Sequence, residues 1–271
     1  LKKAQDSLLS VGLTSIVDAG LSLEQLESLK KFYTEDSLKI RNYAMIAGNP
    51  HSIAKFVKDG FYETDKLTIK SMKLLADGAL GSRGACLLTH YQDSPTQGFL
   101  LHSPQELDDA IKTLAKSKFQ VNTHAIGDSA NRIMLDLYGK YLPENNKRRW
   151  RIEHAQIIAP QDLHKFAKFK IIPSIQPTHA TSDMYWAVER LGEERIKHAY
   201  AYKELLKQFG MLALGSDFPV EHFNPLYGFH AAVARVDNSG FPQGGFQMEN
   251  ALTREEALRG MTIWAAYSCF Q

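Results

Sequence analysis

Two histidines close short, largely apolar runs: His124 ends residues 119–124 and His154 ends residues 150–154. A run at residues 211–215 leads into Ser216-Asp217, and another at residues 67–75 contains Lys73 and leads into Asp77. Neutral imidazoles and carboxylates are the donors that zinc and similar divalent ions take. Singly, each residue has an ordinary reading. A strand-end histidine more often hydrogen-bonds or packs than binds a metal. Asp77-Gly78 suits a turn, and Asp128 suits a helix cap. Two histidines at successive strand ends with an aspartate at a later one weigh more together than apart. Lys73 stands between Met72 and Leu74, and a charge buried in a sheet needs a partner or a chemical task.

These positions depend on the elements that carry them. Strand-like runs at residues 13–18, 38–45, 67–75, 119–124, 150–154, 170–175 and 211–215 alternate with stretches of helical periodicity. Capping boxes mark three helix starts: Ser22 with Gln25, Ser103 with Glu106, and Thr253 with Glu256. Asp128 or Ser129 is the expected cap of the helix after residue 127. The strands are apolar without strict alternation, as in a parallel sheet covered by helices. No G-x-G-x-x-G follows a strand, which disfavours a dinucleotide-binding fold. The expected fold is α/β, a (β/α)8 barrel in one domain over residues 1–271, incomplete because seven strands are found and a first strand would precede Leu1. The chain therefore reads as part of a longer protein. In such a barrel chemistry gathers at the carboxyl ends of the strands. That rim would collect Asp18, Lys73, Asp77, His124, His154, Gln176, His179 and Asp217.

Composition narrows the function classes. The 271 residues are 44% hydrophobic and 23% charged with a net charge of +2, ordinary values for a globular chain. The densest basic run is Lys147-Arg148-Arg149, too little for a nucleic-acid footprint. No apolar stretch is long enough to span a bilayer. Cys86 and Cys269 stand far apart and form no C-x-x-C pair. The expected partner is a small-molecule substrate, the expected compartment cytoplasmic, and homo-oligomerisation is left open.

Four motifs in order carry a resemblance: Lys73-Leu74-Leu75-Ala76-Asp77-Gly78 with Gly81-Ser82-Arg83; Thr123-His124-Ala125-Ile126-Gly127-Asp128; Arg151-Ile152-Glu153-His154-Ala155-Gln156; and Gly215-Ser216-Asp217-Phe218-Pro219-Val220. Together they resemble the amidohydrolase superfamily, in the branch of YtcJ-like proteins and N-substituted formamide deformylase. The resemblance implies a metal-dependent hydrolase on a distorted barrel that holds one or two divalent ions, zinc first. Its ligands would be Lys73 in carbamylated form, His124, His154 and Asp217. The His-x-His that the family carries on its first strand occurs nowhere in the sequence, and its small β-sandwich is missing as well.

The expected reaction is hydrolysis of an amide, formamide or cyclic amide, with Asp217 as general acid and base. Glu153 and Asp128 would orient ligands. Asp77, Ser82, Arg83, His179 and Trp186 would line the substrate pocket, with a structural role equally open for Arg83. Two other readings compete: a metal-free lyase forming a Schiff base on Lys73, and a binding or regulatory barrel without catalysis.

Overall fold

The computed structural model describes residues 1–271, and the chain divides into two compact units. Residues 1–74 and 108–122 form the first, and residues 75–107 and 123–271 the second.

The first unit contains α1 (Lys2–Ser10), β1 (Ser15–Leu21), α2 (Leu23–Thr34), β2 (Arg41–Ala47), α3 (Pro50–Asp59), β3 (Tyr62–Glu63) and most of β4 (Leu67–Leu75). It also takes most of α4 (Pro104–Ala115) and the opening of β5 (Gln120–Ala125). β1 pairs in parallel with β2 and β2 with β4, while the two-residue β3 adds antiparallel to β4. The Ser22 hydroxyl accepts from the Gln25 N–H and the Gln25 side chain accepts from the Ser22 N–H, which fixes where α2 begins. Leu26 and Leu29 then point into the core. Tyr43 of β2 donates its hydroxyl to Gln120 of β5 at 2.9 Å. A buried Tyr–Gln bond of this kind lets two polar side chains sit among apolar strands at little cost.

Asp18 belongs to the middle of β1, where it pairs with Ala44. It sits beside Asn42 and Tyr33, and burial raises its carboxyl above the ordinary range. The expectation that it ends a strand at the rim is corrected. β1 runs three residues past Asp18 to Leu21, because a bulge at Gly20, whose φ is 89°, lets the pairing with β2 resume at Leu21.

The second unit holds the rest of β5, then α5 (Asp128–Tyr141), β6 (Arg151–His154), α6 (His164–Phe169), β7 (Ile172–Ile175), α7 (Pro177–Asp183) and α8 (Ala187–Arg195). α9 (Tyr202–Phe209), β8 (Ala213–Leu214), α10 (Pro225–Ala234), α11 (Arg254–Met261) and α12 (Ile263–Ser268) follow. Its strands lie in the order β5-β6-β7-β8, with β6–β7 and β7–β8 parallel. Trp150, fully buried, meets the Tyr138 ring edge-on at 4.8 Å between α5 and β6, a geometry that suits the opposite charges of ring face and edge. No helix of the protein is long and apolar enough to cross a membrane.

Two stretches depart from the sequence reading. The polar, aromatic segment after β7, to which the sequence pattern assigns no element, folds into α7 and α8. Pro177 opens α7 and its fixed φ suits a first helical turn. β8 keeps only Ala213 and Leu214 of the five residues expected. The long segment after β4 does lack helices and strands of its own, apart from a single bridge between Asp77 and Leu100. Side chains hold it instead. Arg83 grips Asp93 through two bonds of 3.0 and 2.7 Å. Arg190 of α8 bonds the same carboxylate, and the Gln92 N–H donates to the Arg190 carbonyl at 2.8 Å.

Candidate active site

Sequence places His124 and His154 at strand ends, and in the second unit their rings meet edge-on, with centroids 4.5 Å apart. The His179 ring lies nearly parallel to that of His154 at 5.8 Å. The His179 Nε2 stands 4.0 Å from Asp217 Oδ2. Four side chains from β5, β6, α7 and the turn after β8 thus collect on one side of this unit. Three come from the expected ligand set, and His179 comes from the expected substrate contacts.

Local backbone strain accompanies this convergence. His154, Ala155 and Asp217 all have positive φ, at 75°, 43° and 56°. Residues other than glycine adopt such values at a cost of about 1–3 kcal/mol each, and they cluster where side chains must be aimed. The turn after β6 and the turn after β8 both bend this way at a site residue.

A buried partner fixes the His154 imidazole. Gln176 Oε1 lies 2.7 Å from His154 Nδ1, so that nitrogen carries the proton and Nε2 is left to face the cluster. Tyr202 donates its hydroxyl to the Gln176 carbonyl at 3.0 Å, which anchors the residue that anchors the histidine. An amide oxygen behind an imidazole is an arrangement that orients metal-binding histidines. On the other ring, Asp77 Oδ1 stands 3.6 Å from His124 Nε2, beyond hydrogen-bond distance.

Asp77 itself is 1% exposed. Its Oδ2 accepts from the N–H groups of Cys86 and Gly127, each at 2.8 Å, and its Oδ1 accepts from Ile126 N–H at 3.0 Å. Burial pushes its carboxyl up to about 7 against the pull of these three donors. The carboxylate therefore staples the segment after β4 to the turn after β5, and it presents nothing to a pocket. Sequence could not show this, because its partners lie 9 to 50 residues away.

The same turn is closed by a glycine. A Cβ on Gly127 would lie 2.0 Å from the Cys86 carbonyl oxygen, backbone that no side-chain rotation can move. Gly127→Ala is expected to lower the stability of the protein by about 3 kcal/mol, at the upper end of overpacking costs. Urea unfolding would read this directly, and an unchanged midpoint would show that the turn yields.

The other expected site residues are placed as follows. Lys73 belongs to the first unit, opposite Ala47 on β2, and its stem passes over Gly20, where a Cβ would stand 3.6 Å from its Cγ. Glu153 pairs with Arg151 on the opposite face of β6 from His154, at 2.8 Å. Asp128 is the first residue of α5 while Gly127 takes the cap position. The Asp128 carboxylate instead accepts from Leu88 N–H at 2.9 Å and pins the preceding loop. Ser82 donates to the Ala79 carbonyl, and Arg83 spends its guanidinium on Asp93. The Trp186 ring packs over Gly81, where a Cβ would come within 3.2 Å of it. Ser82, Arg83 and Trp186 thus brace the long loop.

One carboxyl escaped the sequence reading. Asp183 of α7 accepts from the Tyr200 hydroxyl at 2.7 Å and faces Gln156 Nε2 at 3.4 Å. Burial, with Glu221 adding repulsion, pushes it up to about 6 from 3.8. The folded state thus favours its protonated form. That preference adds stability below the unfolded value and is lost as pH rises towards the folded one. Asp183→Asn is expected to gain stability relative to the parent as pH is raised from about 4 to about 7. Urea midpoints across that range would test this, and a constant difference would sink it.

Donor chemistry fits a divalent cation: two imidazoles and a carboxylate that is 40% exposed. No three His, Cys, Asp or Glu groups converge closely enough to hold an ion as they stand, so the fit rests on donor type and bracing rather than on a closed cage.

Comparison with known proteins follows the same line. The family described as "Amidohydrolase family" matches residues 1–271. The putative amidohydrolase YtcJ of Bacillus subtilis is 39% identical over 197 residues, covering 72% of this chain and 37% of that protein. Protein LONG AFTER FAR-RED 3 of Arabidopsis thaliana is 35% identical over 222 residues, covering 79% of this chain and 37% of its own length. The chain thus spans well under half the length of the curated relatives it matches. The crystal structure of an uncharacterized metal-dependent hydrolase from Pyrococcus furiosus superposes with a TM-score of 0.87 at 32% identity, over 99% of this chain and 55% of that one. The fold is accordingly an incomplete (β/α)8 barrel of the metal-dependent hydrolase kind.

Proposed function

We propose, from the premise that this chain belongs to the amidohydrolase family, that the protein it forms part of hydrolyses an amide-like C–N bond at His124, His154 and Asp217. The observation that carries the reading is the bracing of His154 from behind by Gln176 at 2.7 Å, with the His124 ring edge-on to it at 4.5 Å. The two imidazoles and the Asp217 carboxylate are the residues that would hold a divalent cation, zinc foremost. A cation there would polarise the substrate carbonyl and acidify water.

The chain's own residues supply the remaining chemistry. Asp217, 40% exposed at its side chain, is open to both water and substrate. It takes a proton from the attacking water as the C–O bond forms and returns it to the leaving nitrogen as the C–N bond breaks. His154, with its Nδ1 proton committed to Gln176, keeps one tautomer throughout.

The test uses the full-length protein. Stoichiometric divalent metal together with hydrolysis of small amides or formamides, both lost in His124→Ala, is the expected result. A metal-free preparation that forms a borohydride-trapped adduct at Lys73 would overturn the reading in favour of a lyase.

A further inference from the structure

His179 is more than nine-tenths buried, and its Nε2 is shielded from solvent without a hydrogen bond. A buried polar atom left so is costly, so a retained one calls for a partner that arrives from outside the protein. The partner is not Asp217 directly, since 4.0 Å separates Nε2 from Oδ2 and a hydrogen bond needs about 2.7–3.2 Å. Yet the gap has a definite shape. One oxygen about 2.8 Å from each atom closes a triangle on that 4.0 Å base. An oxygen there accepts from a nitrogen and donates to a carboxylate, as a water molecule does. Asp217 opens the position to solvent, while the parallel His154 ring walls it at 5.8 Å.

We propose that His179 and Asp217 jointly hold the attacking water, with His179 Nε2–H donating to the water oxygen and the water donating to Asp217 Oδ2. This rests on the hydrolase reading and gives His179 a positioning role towards the nucleophile in place of the substrate contact expected from sequence. In the reaction the water oxygen bonds to the carbonyl carbon and its proton passes to Asp217. That proton later leaves with the nitrogen as the C–N bond breaks. His179 remains neutral and bonded to the same oxygen, so it gains and loses nothing.

A role towards water and a role towards substrate separate in kinetics. In the full-length, metal-loaded enzyme His179→Ala is expected to lower kcat about 100-fold, the scale of a misplaced reactant, with KM changed less than about twofold. His179→Gln, which keeps a donor, is expected to recover at least about tenfold of that loss. A rise in KM with kcat intact would overturn the proposal in favour of substrate contact. Equal losses in Ala and Gln would also overturn it. A second measurement needs no turnover. A crystal structure of the protein at high resolution is expected to show an ordered oxygen within hydrogen-bond distance of both His179 Nε2 and Asp217 Oδ2. Closure of the gap to a direct His179–Asp217 bond would reject the proposal, whatever becomes of the hydrolase reading. Absence of amide hydrolysis in a protein that still shows the bridging oxygen would count against the hydrolase reading alone.

Discussion

Asp217→Asn is expected to reduce hydrolysis by the full-length protein at least about 1,000-fold while leaving its melting temperature unchanged. The size follows from the role. General acid–base transfer at a positioned group is worth about 100- to 10,000-fold, and asparagine can neither take the proton from water nor return it to nitrogen. The unchanged stability follows from the placement and shape: the side chain is 40% exposed, and asparagine matches aspartate in size. Asparagine also tolerates the positive φ of 56° better than most residues. Steady-state assays beside a thermal melt would decide it. A variant keeping more than about a tenth of parent activity would remove Asp217 from proton transfer.

The second large effect concerns stability. Asp77→Ala would leave the N–H groups of Cys86, Ile126 and Gly127 without their acceptor in a site that is 1% exposed. Each orphaned buried donor costs about 1–3 kcal/mol, so about 3 kcal/mol is the lower bound for the three. Whole-protein stability is only about 5–15 kcal/mol, which makes this a large share. Asp77→Asn keeps one acceptor oxygen but turns an NH2 group towards backbone donors, so an intermediate loss is expected. Lowering the pH from about 8 to about 6, through the carboxyl's value of about 7, should stabilise the parent and not the Asn variant, so the gap between them is expected to widen in urea unfolding. A fully stable Ala variant would show that water replaces the carboxylate.

The site was legible in the sequence to the extent that local pattern encodes it. His124 and His154 could be placed at strand ends because the apolar runs before them are short and are followed by turn chemistry. The helix starts at Ser22, Ser103 and Thr253 were legible for the same reason, and each shows the reciprocal side-chain bonds of a capping box. What failed was what depends on distant partners. Asp77 reads equally as a turn former or a substrate contact until its three donors are seen. Arg83 offers the shape of an anion binder, and only Asp93, ten residues on, shows where that charge goes. α7 and α8 hid in a polar stretch because their stability comes from packing, with Ala180, Ala187 and Leu191 fully buried, rather than from a clean helical stripe. Asp18 was misplaced by three residues of strand, the ordinary uncertainty of an element's end.

Asp93 draws together two arginines that are 107 positions apart along the chain, one in the loop after β4 and one in α8. A ribosome would finish the loop long before it reached the helix that completes the clamp. At about 5–20 residues per second, that interval is on the order of ten seconds. During it the segment from Ala76 to Ser103 has neither strand nor helix to shelter its backbone. For a newly made chain this loop is thus the natural place for a chaperone to grip or a protease to cut, and docking of Arg190 is the event that ends the exposure.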